Sequence, residues 1–272
     1  MEQLIDPIGV FDSGVGGLSV LRVIRQQLPG QDVIFFGDQG HVPYGARSME
    51  EIQAFSESIT RYLLGQGAHL VVVACNTASA AALHHLRQTF PQVPFVGMEP
   101  AVKPAAEQTR TGVVGVLATP ATFQGKLYAS VVERFAQGVT LLQDTCPGLV
   151  QQIEAGDLDG PKTRLILEKA LLPMLEQHID TVVLGCTHYP FVIPLIQEIT
   201  GPQVRVIDPA PAVARQTVRL LEGLGNVPPA GKIGRTRYRT SGDPRQFEQL
   251  LQCLLGVTGK AEQARWQGTT LL

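Results

Sequence analysis

Short apolar runs alternate with amphipathic stretches along most of the chain. Ile8–Phe11, Val33–Phe36, Leu70–Ala74, Val93–Val96, Val113–Leu117, Val139–Leu142, Val182–Leu184 and Val204–Ile207 are rich in β-branched and aromatic residues and end in turn formers. Such runs are expected to be buried strands. The segments Leu18–Leu28, Met49–Gly65, Ala78–Thr89, Thr122–Phe135, Lys162–His178 and Phe191–Thr200 carry helical spacing. Strand and helix in alternation predict an α/β fold built on doubly wound parallel sheets.

The eight strands divide into two sets of four, and the third member of each ends in a cysteine: Leu70-Val71-Val72-Val73-Ala74-Cys75 and Thr181-Val182-Val183-Leu184-Gly185-Cys186. This pseudo-repeat predicts two similar lobes facing across a cleft in a pseudo-twofold arrangement. The division it suggests is residues 1–97 plus 208–272 for one lobe and 98–207 for the other. After Asp208-Pro209-Ala210-Pro211 come a helix at Ala212–Leu224, a break at Pro228-Pro229, a strand at Arg237–Thr240 and a helix at Gln246–Leu255. This tail is expected to return to the first lobe.

A chain of 272 residues that is 44% hydrophobic can bury a full core. Its net charge of −2, with scattered Lys and Arg, argues against nucleic acid as a partner. No apolar run approaches the ~18 residues needed to span a bilayer, and Met1–Pro7 lacks the regions of a leader, so a cytoplasmic protein without a membrane partner is expected. Four cysteines without CxxC spacing are expected to be reduced, and metal-ligand spacing is absent, so no metal is expected.

Ligands of parallel sheets bind beyond the carboxyl ends of the strands, which puts Cys75 and Cys186 where a substrate would lie. A helix starting behind Cys75 predicts a dipole that favours thiolate, and His188 stands close enough in sequence to exchange protons with Cys186. Cys146 and Cys253 lack a partner motif and read as structural. Asp12-Ser13-Gly14-Val15-Gly16-Gly17 leaves the first strand and enters a helix. As a dinucleotide loop it fails, because Ser19 replaces the third glycine and Asp12 would face a pyrophosphate; the fragment suits an ammonium group or proton traffic to a thiol. Pro43-Tyr44-Gly45 follows the second strand, and Asn76, Thr77, Thr119, Thr122 and Thr187 would add neutral donors for carboxylates. Glu154 on its own reads as a solvated helix residue.

With these residues in place the chain resembles the cofactor-independent aspartate/glutamate racemase family, and glutamate racemases in particular. The resemblance rests on Val10-Phe11-Asp12-Ser13-Gly14-Val15-Gly16-Gly17, Pro43-Tyr44-Gly45, Ala74-Cys75-Asn76-Thr77, Gly185-Cys186-Thr187-His188-Tyr189-Pro190 and Ser241-Gly242-Asp243-Pro244, in that order. It implies racemization of L-glutamate to D-glutamate without cofactor, D-glutamate supplied for peptidoglycan, and a homodimer. Cys75 and Cys186 would be the two catalytic bases, assisted by Asp12 and His188, with Glu154 a further acid of the site. Substrate contacts would fall to Asp12, Ser13, Pro43, Tyr44, Gly45, Asn76, Thr77, Thr119, Thr122, Thr187 and His188. The chain departs from the family pattern at Phe123-Gln124-Gly125, which bears on the lining of the second lobe. Because the first strand opens at Ile8, activation by a cell-wall precursor is not expected.

Inverting a stereocentre without a cofactor requires one group to take the Cα proton while another delivers a proton to the opposite face. Two sulfurs flanking Cα at roughly 3.5 Å each would stand about 7 Å apart, far beyond disulfide range. None of the six lysines holds a strand-end position like those of the cysteines, as a pyridoxal phosphate enzyme would require. Racemases of aspartate or of hydantoins share the same plan. A non-catalytic amino-acid binding module and a thiol-disulfide oxidoreductase are the readings from other classes.

Overall fold

The computed structural model describes residues 6–229 and 231–272. Met1–Ile5, most of the segment expected to carry no leader, lies outside the described residues. In chain order the elements are β1 (Ile8–Asp12), α1 (Leu18–Gln27), β2 (Val33–Gly37), α2 (Met49–Gly65), β3 (Leu70–Val73), α3 (Asn76–Thr89), β4 (Phe95–Gly97), α4 (Val102–Gln108), β5 (Val113–Ala118), α5 (Pro120–Gln124), α6 (Lys126–Phe135), β6 (Thr140–Asp144) and α7 (Leu149–Glu154). There follow α8 (Pro161–Glu176), β7 (Thr181–Gly185), α9 (Ile193–Thr200), β8 (Arg205–Ile207), α10 (Ala210–Gly223), β9 (Thr236–Thr240), α11 (Pro244–Leu255), β10 (Ala261–Gln263), β11 (Trp266–Gln267) and β12 (Thr270–Leu271).

Two parallel sheets organise these elements. One has the order β10-β9-β2-β1-β3-β4 and the other β6-β5-β7-β8. The run β2-β1-β3-β4 and the whole of the second sheet are the same arrangement four strands later, the topological form of the repeat seen in sequence. In both, the strand that ends at a cysteine lies beside the strand that opens its set, with Ile8 opposite Leu70 and Val114 opposite Thr181. The returning tail pairs β9 with β2, Val33 opposite Thr236.

The strands read as continuous apolar runs because both faces are covered. Along β3, Leu70 and Val72 face a core shared with α1, whereas Val71 and Val73 face one shared with α2 and α3. The first of these cores is continuous across both sheets, running from Val10 and Val72 through Leu21, Ala214 and Leu221 to Leu171, Val182 and Ile196. A third cluster, with Val114, Val116 and Val183 against Tyr128 and Val131, covers the far face of the second sheet. Local signals set the boundaries, as at α2, where Ser48 and Glu51 form a reciprocal capping box.

The helix expected over Thr122–Phe135 is two helices. Gly125 is extended, and a Cβ there would meet Ala80 Cβ at 2.9 Å, so α3 passes too close for the helix to run through. The short helices α4 and α7 and the terminal strands β10 to β12 carry too few periodic positions to be read from sequence.

Candidate active site

The carboxyl ends of β1, β3, β5 and β7 converge on one cavity of about 20 Å³, lined by Ser13, Pro43, Tyr44, Gly45, Cys75, Asn76, Thr77, Thr119, Val150, Cys186, Thr187 and His188. Cys75 and Cys186 are both buried free thiols on its wall. Cys75 caps α3, its Sγ accepting from Ala78 N–H at 3.4 Å while its thiol donates to Ser13 Oγ at 3.6 Å. Burial pushes the Cys75 thiol up, the nearby Asp12 carboxylate adds to this, and the Ala78 N–H and Ser13 oppose it. The expectation of a dipole-favoured thiolate is therefore overturned in this closed state: desolvation of a sunken thiolate outweighs a helix terminus worth only about 0.3–1 kcal/mol.

On the other side, Cys186 Sγ lies 3.8 Å from His188 Nδ1, and His188 Nε2 lies 2.7 Å from Glu154 Oε1. Burial alone would depress the imidazole, but Cys186 and Glu154 together raise it well above an ordinary histidine. Glu154 is buried too, which would raise it; its contacts with His188, Val15 N–H and Gln39 nonetheless hold it low. The result is an imidazolium–carboxylate pair behind one thiol. Glu154 is thus not a solvated helix residue: its side chain is 12% exposed and sits at the end of α7, tied across the interface between the sheets to Val15.

Asp12 is fully buried behind the cavity wall, accepting from Gly14 N–H at 3.0 Å and from Thr187 Oγ1 at 3.1 Å. Burial raises its carboxyl above the usual range, partly countered by His188. The glycines after it have a steric reason. A Cβ on Gly14 would collide with Glu154 Oε1, and one on Gly16 would sit 2.5 Å from His188 Nδ1 and 2.6 Å from Thr187 Oγ1. The loop is glycine-rich so that the acid and imidazole of the second sheet can press against it, not to cradle phosphate.

Eleven of the fourteen residues singled out in sequence line the cavity; Asp12, Glu154 and Thr122 stand behind the wall. Thr122 is buried and bonds Thr119 Oγ1 at 3.0 Å, which in turn meets Thr77 Oγ1 at 2.9 Å. Thr122 therefore supports Thr119 rather than facing the cavity. Val150 is the wall residue that sequence reasoning missed, an apolar position on α7 with no chemical signal. Phe123, in the segment that departs from the family pattern, packs edge-on against Tyr128.

The family profile described as Asp/Glu/Hydantoin racemase matches residues 8–217. The chain belongs to that family. Members of the Asp/Glu/Hydantoin racemase family are isomerases, and relatives in it follow this chain over nearly all its length. The glutamate racemase of Pseudomonas aeruginosa strain PAO1 is 52% identical over 249 residues, 92% of this chain and 94% of its own. The solved glutamate racemase isoform RacE1 of Bacillus anthracis superposes with a TM-score of 0.85 at 31% identity, covering 97% of this chain and 98% of the other. The Escherichia coli glutamate racemase, solved with L-glutamate and an activator, UDP-MurNAc-ala, gives 0.84 at 33% identity over 98% and 99% of the chains. Among the described residues, no helix is long and apolar enough to cross a membrane.

Proposed function

We propose that this chain interconverts L- and D-glutamate by a two-base mechanism, with Cys75 and Cys186 acting on opposite faces of Cα. The observation that carries this reading is the pair of buried thiols at the ends of equivalent strands, sharing one cavity and each backed by its own acid: Asp12 near Cys75, and His188 with Glu154 near Cys186. In one direction the Cys75 thiol first gives its proton to a neighbouring base, the Cys75 thiolate then takes the Cα proton of D-glutamate, and the Cys186 thiol delivers its proton to the other face and is left as thiolate; the reverse reaction exchanges the roles. His188, whose protonated form Cys186 and Glu154 favour, stands beside the thiolate left on Cys186 after delivery and can return a proton to it. Asp12 is the group assigned to exchange a proton with Cys75, burial having raised its carboxyl so that it can hold one.

Glutamate does not fit a cavity of about 20 Å³. Entry is by parting of the lobes, which we assign as 1–97 with 208–272 against 98–207. The Thr77–Thr119 hydroxyl pair and the close approach of Gly45 to Thr119 are the contacts that give way. Closure then excludes water and strengthens every electrostatic interaction inside. Asn76 presents both side-chain polar atoms buried and without partners, groups suited to a polar ligand such as an amino-acid carboxylate. D-glutamate for peptidoglycan, cytoplasmic residence and a homodimer complete the proposal, on the strength of the family.

A racemization assay offering glutamate, aspartate and hydantoins tests the substrate. Glutamate is expected to turn over at least tenfold faster than aspartate, because one methylene of difference is worth about tenfold or more in a fitted pocket. Preference for aspartate or a hydantoin would replace glutamate in the reading.

A further inference from the structure

Asp38, at the end of β2, is fully buried and lies outside the cavity wall, yet its carboxylate collects four donors. Oδ2 accepts from Tyr44 Oη at 2.6 Å. Oδ1 accepts from Ser241 Oγ at 2.6 Å and from Trp266 Nε1 at 2.8 Å. His41 Nδ1 lies 3.0 Å from Oδ2. The first of these partners faces the cavity, while Ser241 and Trp266 belong to the C-terminal tail. Ser241 also accepts from Gly40 N–H at 2.9 Å, and Trp266 meets His41 and Phe55 edge-on, with Phe55 packed against Tyr44. The hairpin that carries Trp266 is docked on α2 by Leu271, buried and donating its N–H to Ser58 Oγ at 2.9 Å.

We infer that Trp266 and Ser241 are positioning residues for the Pro43-Tyr44-Gly45 turn, acting through Asp38. A carboxylate with a single donor can rotate. One held by tail donors on Oδ1 fixes the direction in which Oδ2 receives the Tyr44 hydroxyl, and with it the placement of the turn against Thr119. Two residues of the marker Ser241-Gly242-Asp243-Pro244 then have a physical purpose, since Asp243 caps α11 while Ser241 delivers the tail's hydroxyl to Asp38. The inference rests on the reading of the Tyr44 turn as substrate-facing.

Trp266→Phe removes the N–H and keeps an aromatic ring in the cluster, and Ser241→Ala removes the other tail donor at a half-buried position. Each is expected to raise KM for glutamate about fivefold with kcat within about twofold, the size of one ordinary net hydrogen bond. The discriminating measurement is a double-mutant cycle with Tyr44→Phe, in which either tail substitution should add little once the Tyr44 hydroxyl is gone. An unchanged KM in both tail variants, or an equal effect in the two backgrounds, would reduce Trp266 and Ser241 to packing residues and overturn the inference. If Tyr44→Phe and Gly45→Ala both left KM unaltered, the substrate-facing reading of the turn would fall instead, and the inference with it.

Discussion

His188 and Glu154 stand 2.7 Å apart, 34 residues distant in the chain, at the point where the two sheets meet. The imidazole reaches Cys186 with its other nitrogen, and the carboxylate accepts from Val15 N–H in the loop that follows β1. One buried ion pair thus joins the chemistry of the second lobe to the backbone of the first.

Glu154→Gln leaves His188 without its counter-charge, so the imidazolium is no longer favoured behind Cys186. Racemization should fall about a hundredfold, the lower end of general acid–base contributions. The loss in kcat/KM must be equal in both directions, since the enantiomers have the same free energy. Polarimetry from each enantiomer checks this, and activity within twofold of the native chain would remove Glu154 from the proton path.

The same pair makes stability depend on pH in a defined sense. His188 is raised in the fold above the ordinary 6.5, so its contribution is whole below about pH 6.5 and is lost as pH climbs through its folded value. Glu154 is lowered from the ordinary 4.5, so its contribution is present above that pH and lost on acidification. The gap in melting temperature between the native chain and His188→Gln should therefore be widest near pH 6 and narrower at pH 9. Thermal scans across that range decide it; a gap that widens toward pH 9 would mean His188 is neutral in the fold.

Gly16→Ala places a methyl group against His188 and Thr187, both buried and both hydrogen-bonded. Overpacking of this kind costs about 1–3 kcal/mol, and activity should drop by more than tenfold because the imidazole shifts away from Cys186. Gly65→Ala is the matched control, since nothing lies within 4 Å of a Cβ there. A Gly16→Ala chain with native activity would show that the loop can yield without moving His188.

How far the sequence reached depends on whether a feature is local. Both strand sets and their cysteines follow from apolar runs and their turn residues, which are properties of contiguous segments; the tail was expected only to return to the first lobe, and its pairing with β2 through the polar strand Thr236–Thr240 is a long-range contact. Glu154 was legible only through the family resemblance: what makes it an ion-pair partner is supplied by Val15 and His188, and a lone Glu on a short helix carries no mark of either. The state of Cys75 was misread because its cap position is visible in sequence while its burial is not. Asp38 carries no sequence mark of the donors gathered on it; its Trp266 partner comes from a hairpin with two residues in each strand.

The measurement closest to the central claim is exchange of the Cα proton of each glutamate enantiomer in D₂O, followed together with optical rotation, for the native chain, Cys75→Ser and Cys186→Ser. The native chain should interconvert both enantiomers with deuterium entering Cα, and each substitution should abolish racemization. Full activity in either variant would contradict the two-base account and return that cysteine to the role of a buried apolar side chain.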